Sequence, residues 1–208
     1  MSSQGIVHVI DDDDAVRESL AFLLETSGLT VRTHVSAVTF LDGLGSQPAG
    51  CVLTDVRMPE MDGLELLRRL GGQGGRWPVI VMTGHADVPL AVQALKAGAL
   101  DFLEKPLDDT ALLAAIERGL AASAAHRRDS AVAGDVAARV ARLTNRERQV
   151  LDGLVAGQAN KAIARDLGMS PRTVEVHRAR VMEKMQAESL SELVRMTLSS
   201  AGHKISPN

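Results

Sequence analysis

Five short apolar runs, each followed by a stretch with helical spacing, fill the first part of the chain. The runs are Ile6–Ile10, Leu29–Thr33, Cys51–Asp55, Val79–Met82 and Leu100–Glu104. Runs of this length bounded by polar or turn residues read as buried strands. The intervening stretches place Val16, Leu20, Leu23 and Leu24, then Val38, Leu41 and Leu44, on helical faces. Leu64, Leu67 and Leu70 mark a third face, Val88, Val92 and Leu95 a fourth, and Leu112, Leu113, Ile116 and Leu120 a fifth. Strands alternating with helices imply a parallel sheet covered on both sides. The expected fold is an α/β flavodoxin-like (βα)5 domain with strand order 2-1-3-4-5. That order sets strands 1 and 3 side by side, with ligands bound outside the strand carboxyl ends.

Polar residues collect at that edge. Asp11 and Asp12 leave the first strand, Asp55 the third, Thr83 the fourth and Lys105 the fifth. Asp55 alone could be a metal ligand, a nucleophile or a helix cap. The company it keeps narrows the choice. Carboxylates packed together without a counterion repel, and their oxygens suit Mg²⁺, which keeps several waters. An ammonium and a hydroxyl beside such a metal suit a phosphoryl group, and a carboxylate can accept one as nucleophile. Asp13 and Asp14 are expected as a helix cap and first turn. Cys51, the only cysteine, is expected as a buried, inert thiol of a reducing compartment. Gly71–Gly75 lacks a lysine and a phosphate-loop pattern, and is expected as a flexible connection.

Asp11-Asp12, Asp55 with Met58-Pro59 and Asp62-Gly63, Thr83-Gly84 and Lys105-Pro106 stand in the order and spacing of a response-regulator receiver domain, which this half resembles. The resemblance implies phosphorylation of Asp55 by a sensor histidine kinase. It implies Mg²⁺ held by Asp12, Asp55 and the main-chain carbonyl of Arg57, with Asp11 acting through water. Lys105 and Thr83 would meet the phosphoryl group, and Phe102 would be the ring that follows Thr83 during switching. The surface from Val88 to Leu103 would then pair two chains.

Charge divides the chain. Residues 1–122 carry 9 Lys and Arg against 17 Asp and Glu, a net −8, whereas residues 141–208 carry 11 against 7, a net +4. An acidic half favours a cation and a basic one a polyanion. Domains are expected at 1–122 and 141–208, joined by a helical linker at 123–140. The nine alanines of residues 121–141 favour helix, expected to extend the fifth helix, break near Gly134 and restart before Leu143. His126 is expected to be solvated.

Thr144 and Glu147 form a capping box for a helix with Val150, Leu151, Leu154 and Val155 inward. A short helix spans Lys161–Leu167. Ser170 then caps a helix with Pro171 at its first position, with Val174, Val181 and Met185 inward. A last helix runs from about Leu190 to Leu198. A basic, exposed helix after a tight turn describes helix-turn-helix. Thr144-Asn145-Arg146-Glu147, Gly157, Asn160-Lys161, Ile163-Ala164, Leu167, Ser170, Thr173-Val174, His177 and Lys184 are similar in spacing to the all-α, four-helix LuxR-type DNA-binding domain. The likeness implies that Pro171–Met185 enters the major groove of double-stranded promoter DNA. Arg172, Thr173, Arg178 and Lys184 would contact phosphate, Val176 a thymine methyl, and His177 belongs to the same face. Glu175 and Ala179 stand where some relatives carry lysines, which leaves the target sequence open.

Thr83–Pro89 and Asn160–Val176 resemble the nitrogen-fixation regulators of this family most strongly. That likeness implies a haem oxygen-sensing kinase as partner, RNA polymerase as a further one, and activation of transcription. The expected protein is a cytoplasmic regulator, not an enzyme, without a signal peptide at Met1–Gln4 or a membrane span. The alternatives are a Mg²⁺-dependent phosphatase with an aspartyl-phosphate intermediate and a phosphorylation-controlled adaptor that binds only protein.

Overall fold

The computed structural model describes residues 5–71, 75–84 and 88–202, the side chains of 200–202 excepted. Part of the Gly71–Gly75 connection and residues His85, Ala86 and Asp87 therefore lie outside the described residues. The chain divides into two compact units, Met1–Arg127 and Arg128–Asn208.

The first unit holds strands β1 (Ile6–Ile10), β2 (Thr30–His34), β3 (Gly50–Asp55), β4 (Val79–Thr83) and β5 (Asp101–Glu104). Helices α1 (Asp14–Thr26), α2 (Ala37–Asp42), α3 (Gly63–Gly71) and α4 (Val88–Lys96) lie between them. All neighbouring strands are parallel, in the order β2-β1-β3-β4-β5. β3 and β4 are buried throughout, as strands covered on both faces require. One side of the sheet buries Ile10, Val52, Val79 and Val81 against Phe40, Leu67 and Leu70. The other buries Val7, Val9, Leu53 and Ile80 against Leu24, Leu112 and Ile116. β2 runs one residue later than its apolar run suggested, because His34 pairs with Ile10.

Two helical faces differ from the sequence reading. On α2 the deeply buried residues are Ala37 and Phe40, while Val38, Leu41 and Leu44 sit at the margin. On α4 the buried residue is Ala94, and Val88, Val92 and Leu95 face outward. Spacing reveals that an apolar stripe exists; what covers it is a matter of neighbours.

Helix α5 runs without interruption from Asp109 to Ala141. The expected break at Gly134 does not occur: a glycine costs a helix only about 1 kcal/mol relative to alanine, and the alanines around it supply propensity. The second unit continues with α6 (Asn145–Val155), α7 (Asn160–Asp166), α8 (Pro171–Met185) and α9 (Leu190–Gly202). Its core joins Val150, Leu151 and Leu154 to Ile163, Val174, Val181, Met185 and Leu193, with Val136 from α5. The capping box at Thr144 and Glu147 is formed in both directions.

An unusual polar pair lies in the first core. His8 is fully buried and His34 nearly so. His8 Nε2 donates to the Pro48 carbonyl at 3.0 Å, so its Nδ1 accepts from His34 Nε2 at 3.1 Å. Phe40 and Trp77 ring the pair. Burial, the His8 ring and the charge of Arg32 push His34 down to about 4 from 6.5. Burial also lowers His8. The unfolded chain therefore binds more protons in this range, and stability decreases as the pH is lowered. The contribution is whole above pH 6.5 and gone near pH 4. Trp77, the only tryptophan, touches His8 and reports this unit. Its fluorescence melting temperature should drop across that window, and His34→Gln should remove part of the slope. A slope identical in His34→Gln would assign it to His8 and the carboxylates instead.

Candidate phosphoacceptor pocket and nucleic-acid interface

At the carboxyl edge of the sheet, β1, β3 and β5 each deliver one charged group. Asp55 ends β3 and is largely buried; Asp11 follows β1 and is more so. Lys105, just past β5, donates from Nζ to Asp55 Oδ1 at 2.6 Å and to Asp11 Oδ2 at 2.8 Å. Burial alone would lower the lysine's pKa, but the two carboxylates outweigh it and hold the ammonium above its ordinary value. Thr83 ends β4 and is buried. Phe102, on β5, packs at the margin of the core.

Local structure fixes the two acids. The Arg57 main-chain N–H donates to Asp55 Oδ2 at 2.5 Å. The β3–α3 loop closes back on the strand, with the Gly63 N–H donating to the Val56 carbonyl at 2.9 Å. A Cβ on Gly63 would lie 2.2 Å from the Asp55 carbonyl oxygen, so only glycine lets α3 start this close. Asp11 Oδ1 accepts from the Asp13 N–H at 3.0 Å. Asp13 caps α1 through Ala15 and Val16, and Asp14 opens its first turn.

The sequence reading missed Arg17. Its buried guanidinium donates to the Asp11 carbonyl at 2.6 Å and pairs with Asp14. The signal was available: Arg17 shares the inward stripe of Leu20 and Leu24. Asp12, by contrast, is exposed. Among the described residues no three acidic, histidine or cysteine side chains converge as a metal site. The two carboxylates still begin an oxygen donor set that fits Mg²⁺, which needs only one or two carboxylates and keeps several waters.

In the second unit, α8 turns Arg172, Thr173, Glu175, Ala179 and Arg180 outward, and Val176 is 47% exposed. Arg178 and His177 are half-buried; His177 Nδ1 has no hydrogen-bond partner. Ser170 caps the helix through the Thr173 N–H at 3.1 Å. Lys184 points elsewhere. Its ammonium donates to Glu147 Oε2 at 2.6 Å and to the Arg142 carbonyl at 3.4 Å. Glu147 is buried, and the Lys184 ammonium and the Thr144 N–H hold it at about 2. Lys184 thus lies in a pair inside the unit, separate from the exposed basic residues at the start of α8. Nothing local in the sequence signals a pair 37 residues apart.

The comparisons with known proteins agree with this geometry. Residues 7–117 match the response regulator receiver domain, and residues 141–197 match the bacterial regulatory proteins of the luxR family. The transcriptional regulatory protein FixJ of Azorhizobium caulinodans is 62% identical over 92% of this chain and 91% of its own. The crystal structure of full-length FixJ from B. japonicum is 53% identical, covers 97% of this chain and 99% of its own, and has a TM-score of 0.58. The response regulator StyR is 41% identical over 94% and 99%, with a TM-score of 0.78. No helix among the described residues is long and apolar enough to cross a membrane. With a receiver pocket in one unit and a LuxR-type helix-turn-helix in the other, this chain belongs to the response-regulator family and is a FixJ-like member of it.

Proposed function

We propose that transfer of a phosphoryl group to Asp55 switches on promoter binding by the second unit. The observation that carries this is the Lys105 ammonium held between Asp55 and Asp11. An Asp55 oxygen attacks the phosphorus of a phosphohistidine on a sensor kinase. The P–N bond breaks, its electron pair stays with the imidazole, and an acyl-phosphate remains. Lys105 then pairs with the phosphoryl oxygens, and the Thr83 hydroxyl donates to them. Asp12, Asp55 and the Arg57 carbonyl, with Asp11 through water, would hold Mg²⁺. When bound, that ion neutralises phosphoryl charge during transfer. The modification adds roughly −1.5 to −2 charge, which draws Thr83 inward and lets Phe102 follow. The likeness to FixJ supports activation of nitrogen-fixation genes through RNA polymerase, with an oxygen-sensing haem kinase upstream. Reading promoter DNA places the work in the cytoplasm.

Intact mass after treatment with acetyl phosphate and Mg²⁺ tests the first step. One phosphoryl should appear on wild type and none on Asp55→Asn. Multiple turnovers of a phosphate ester would favour a phosphatase instead. No Asp55-dependent gain with acetyl phosphate or with a kinase would sink the proposal.

The outward stripe of α4 gives phosphorylation a physical output. Val88 is 77% exposed, Leu95 53% and Val92 42%. Such a patch on one face marks an interaction surface, and pairing two chains there would bring two DNA-binding units onto neighbouring half-sites. Sedimentation equilibrium with an acyl-phosphate mimic should show a dimer for wild type and a monomer for Leu95→Glu. A wild-type monomer under those conditions would remove this step.

For DNA, each phosphate contact adds about 0.9 to the slope of log affinity against log salt. Arg172→Ala should therefore lower the slope by about one. Lys184→Met should leave it unchanged, because that ammonium belongs to Glu147. Equal losses in both variants would return Lys184 to the DNA face.

A further inference from the structure

Within the second unit, the last turns of α5 meet the last turn of α8. Val136 is 2% exposed and shares its core with Val174, Val181 and Met185. Arg139, one turn further along α5, donates from Nη1 to the Met185 carbonyl at 2.8 Å. Met185 is the last residue of α8, so its carbonyl is one that the helix leaves without an internal partner. The chain then turns through Gln186, a non-glycine residue at φ 53°. There the Gln186 and Ala187 N–H groups serve the Glu183 and Met182 carbonyls, each at 3.0 Å. Arg139 supplies the donor that the backbone does not. A guanidinium at this end also meets the negative pole of the helix dipole.

The position of Arg139 depends on α5 being helical. Asp135, one turn earlier, accepts from the other Nη at 2.5 Å. That i, i+4 pair exists only while residues 135–139 are wound. Lys184, next to Met185, ties the same turn of α8 to Glu147 and to the Arg142 carbonyl. Arg148 of α6 in turn donates to the Val140 carbonyl at 3.3 Å. The end of α5, the start of α6 and the end of α8 therefore form one hydrogen-bonded corner. The match to the luxR family begins at residue 141, after the residues that build half of it.

We propose that residues 135–141 are a working part of the DNA-binding unit, with Arg139 as a positioning residue that fixes the last turn of α8. Arg139 acts through the Met185 carbonyl and does not touch DNA. Unwinding the end of α5 separates Asp135 from Arg139, frees the carbonyl and loosens the helix that reads the groove. The inference rests on α8 being the DNA-reading helix.

The test uses the full chain, phosphorylated, and a short duplex selected from a random pool by the wild-type protein. A charge-assisted hydrogen bond of this kind predicts that Arg139→Gln weakens binding about tenfold. Phosphoryl uptake and the salt slope should stay as in wild type, and amide hydrogen exchange should speed up at the end of α8. Arg139→Lys, which keeps a cationic donor, should recover most of the affinity. Val136→Ala serves as the packing control: it should lower the melting temperature without the localised rise in exchange. Wild-type affinity in Arg139→Gln would overturn the proposal. So would a salt slope lowered by about one, which marks a direct phosphate contact, or exchange that rises evenly through the unit. If the wild type selects no duplex, the DNA reading of α8 has failed instead.

Discussion

One ammonium between two carboxylates organises the first unit. Lys105 lies 94 residues from Asp11 and 50 from Asp55 in sequence, yet it closes on both. It thereby ties the ends of β1, β3 and β5 into one edge. Two largely buried carboxylates near each other raise each other's energy, and one cation offsets only part of that. The cluster keeps a net negative charge and an appetite for a further cation. On the proposed reading, a phosphoryl on Asp55 would offer the same ammonium more oxygens and more charge. Arg17 matters here because it grips the Asp11 main chain, which holds Asp11 by a contact independent of Lys105.

The second unit uses a similar pair to the opposite end. Glu147 is nearly enclosed, and Thr144 and Lys184 saturate its Oε2 oxygen. Among the described residues no competing carboxylate shares the lysine. Such a pair is satisfied, and breaking it strands a buried charge. The pair joins the start of α6 to the end of α8. A shared, underpaid ammonium suits a switch, and an exclusive one suits a scaffold that holds a reading helix still.

The parts of this architecture that sequence makes legible are the repetitive and the local ones. Apolar runs gave the strands because both sheet faces are covered. The residue just past each run gave the pocket because a strand end fixes where a side chain emerges. The capping box and Pro171 gave the starts of α6 and α8. Periodicity could not tell that the stripe of α4 faces solvent, because an apolar face looks the same whether it meets a core or a partner. Nor could it show that Phe40, rather than Leu41, fills the space beside His8 and Trp77. Pairs between distant residues left no pattern: His8 with His34, Arg139 with Met185, and Glu147 with Lys184 are products of the fold.

Helix α5 combines both kinds of information. Its alanines announced a helix, and its ends are anchored by buried residues, Leu112, Ile116 and Ser123 in one unit and Val136 in the other. Between Ser123 and Val136 no residue is buried. That middle stretch puts no fully buried side chain into either core, and helix propensity itself differs by only a few tenths of a kcal/mol between most residues. Helix stability in proteins comes chiefly from packing, which the buried residues at the two ends of α5 supply. Gly134 is the weakest helix former in that stretch, and it lies one residue before Asp135, where the grip on α8 begins. The same alanines that make the helix readable in the sequence leave its middle few large apolar side chains to bury.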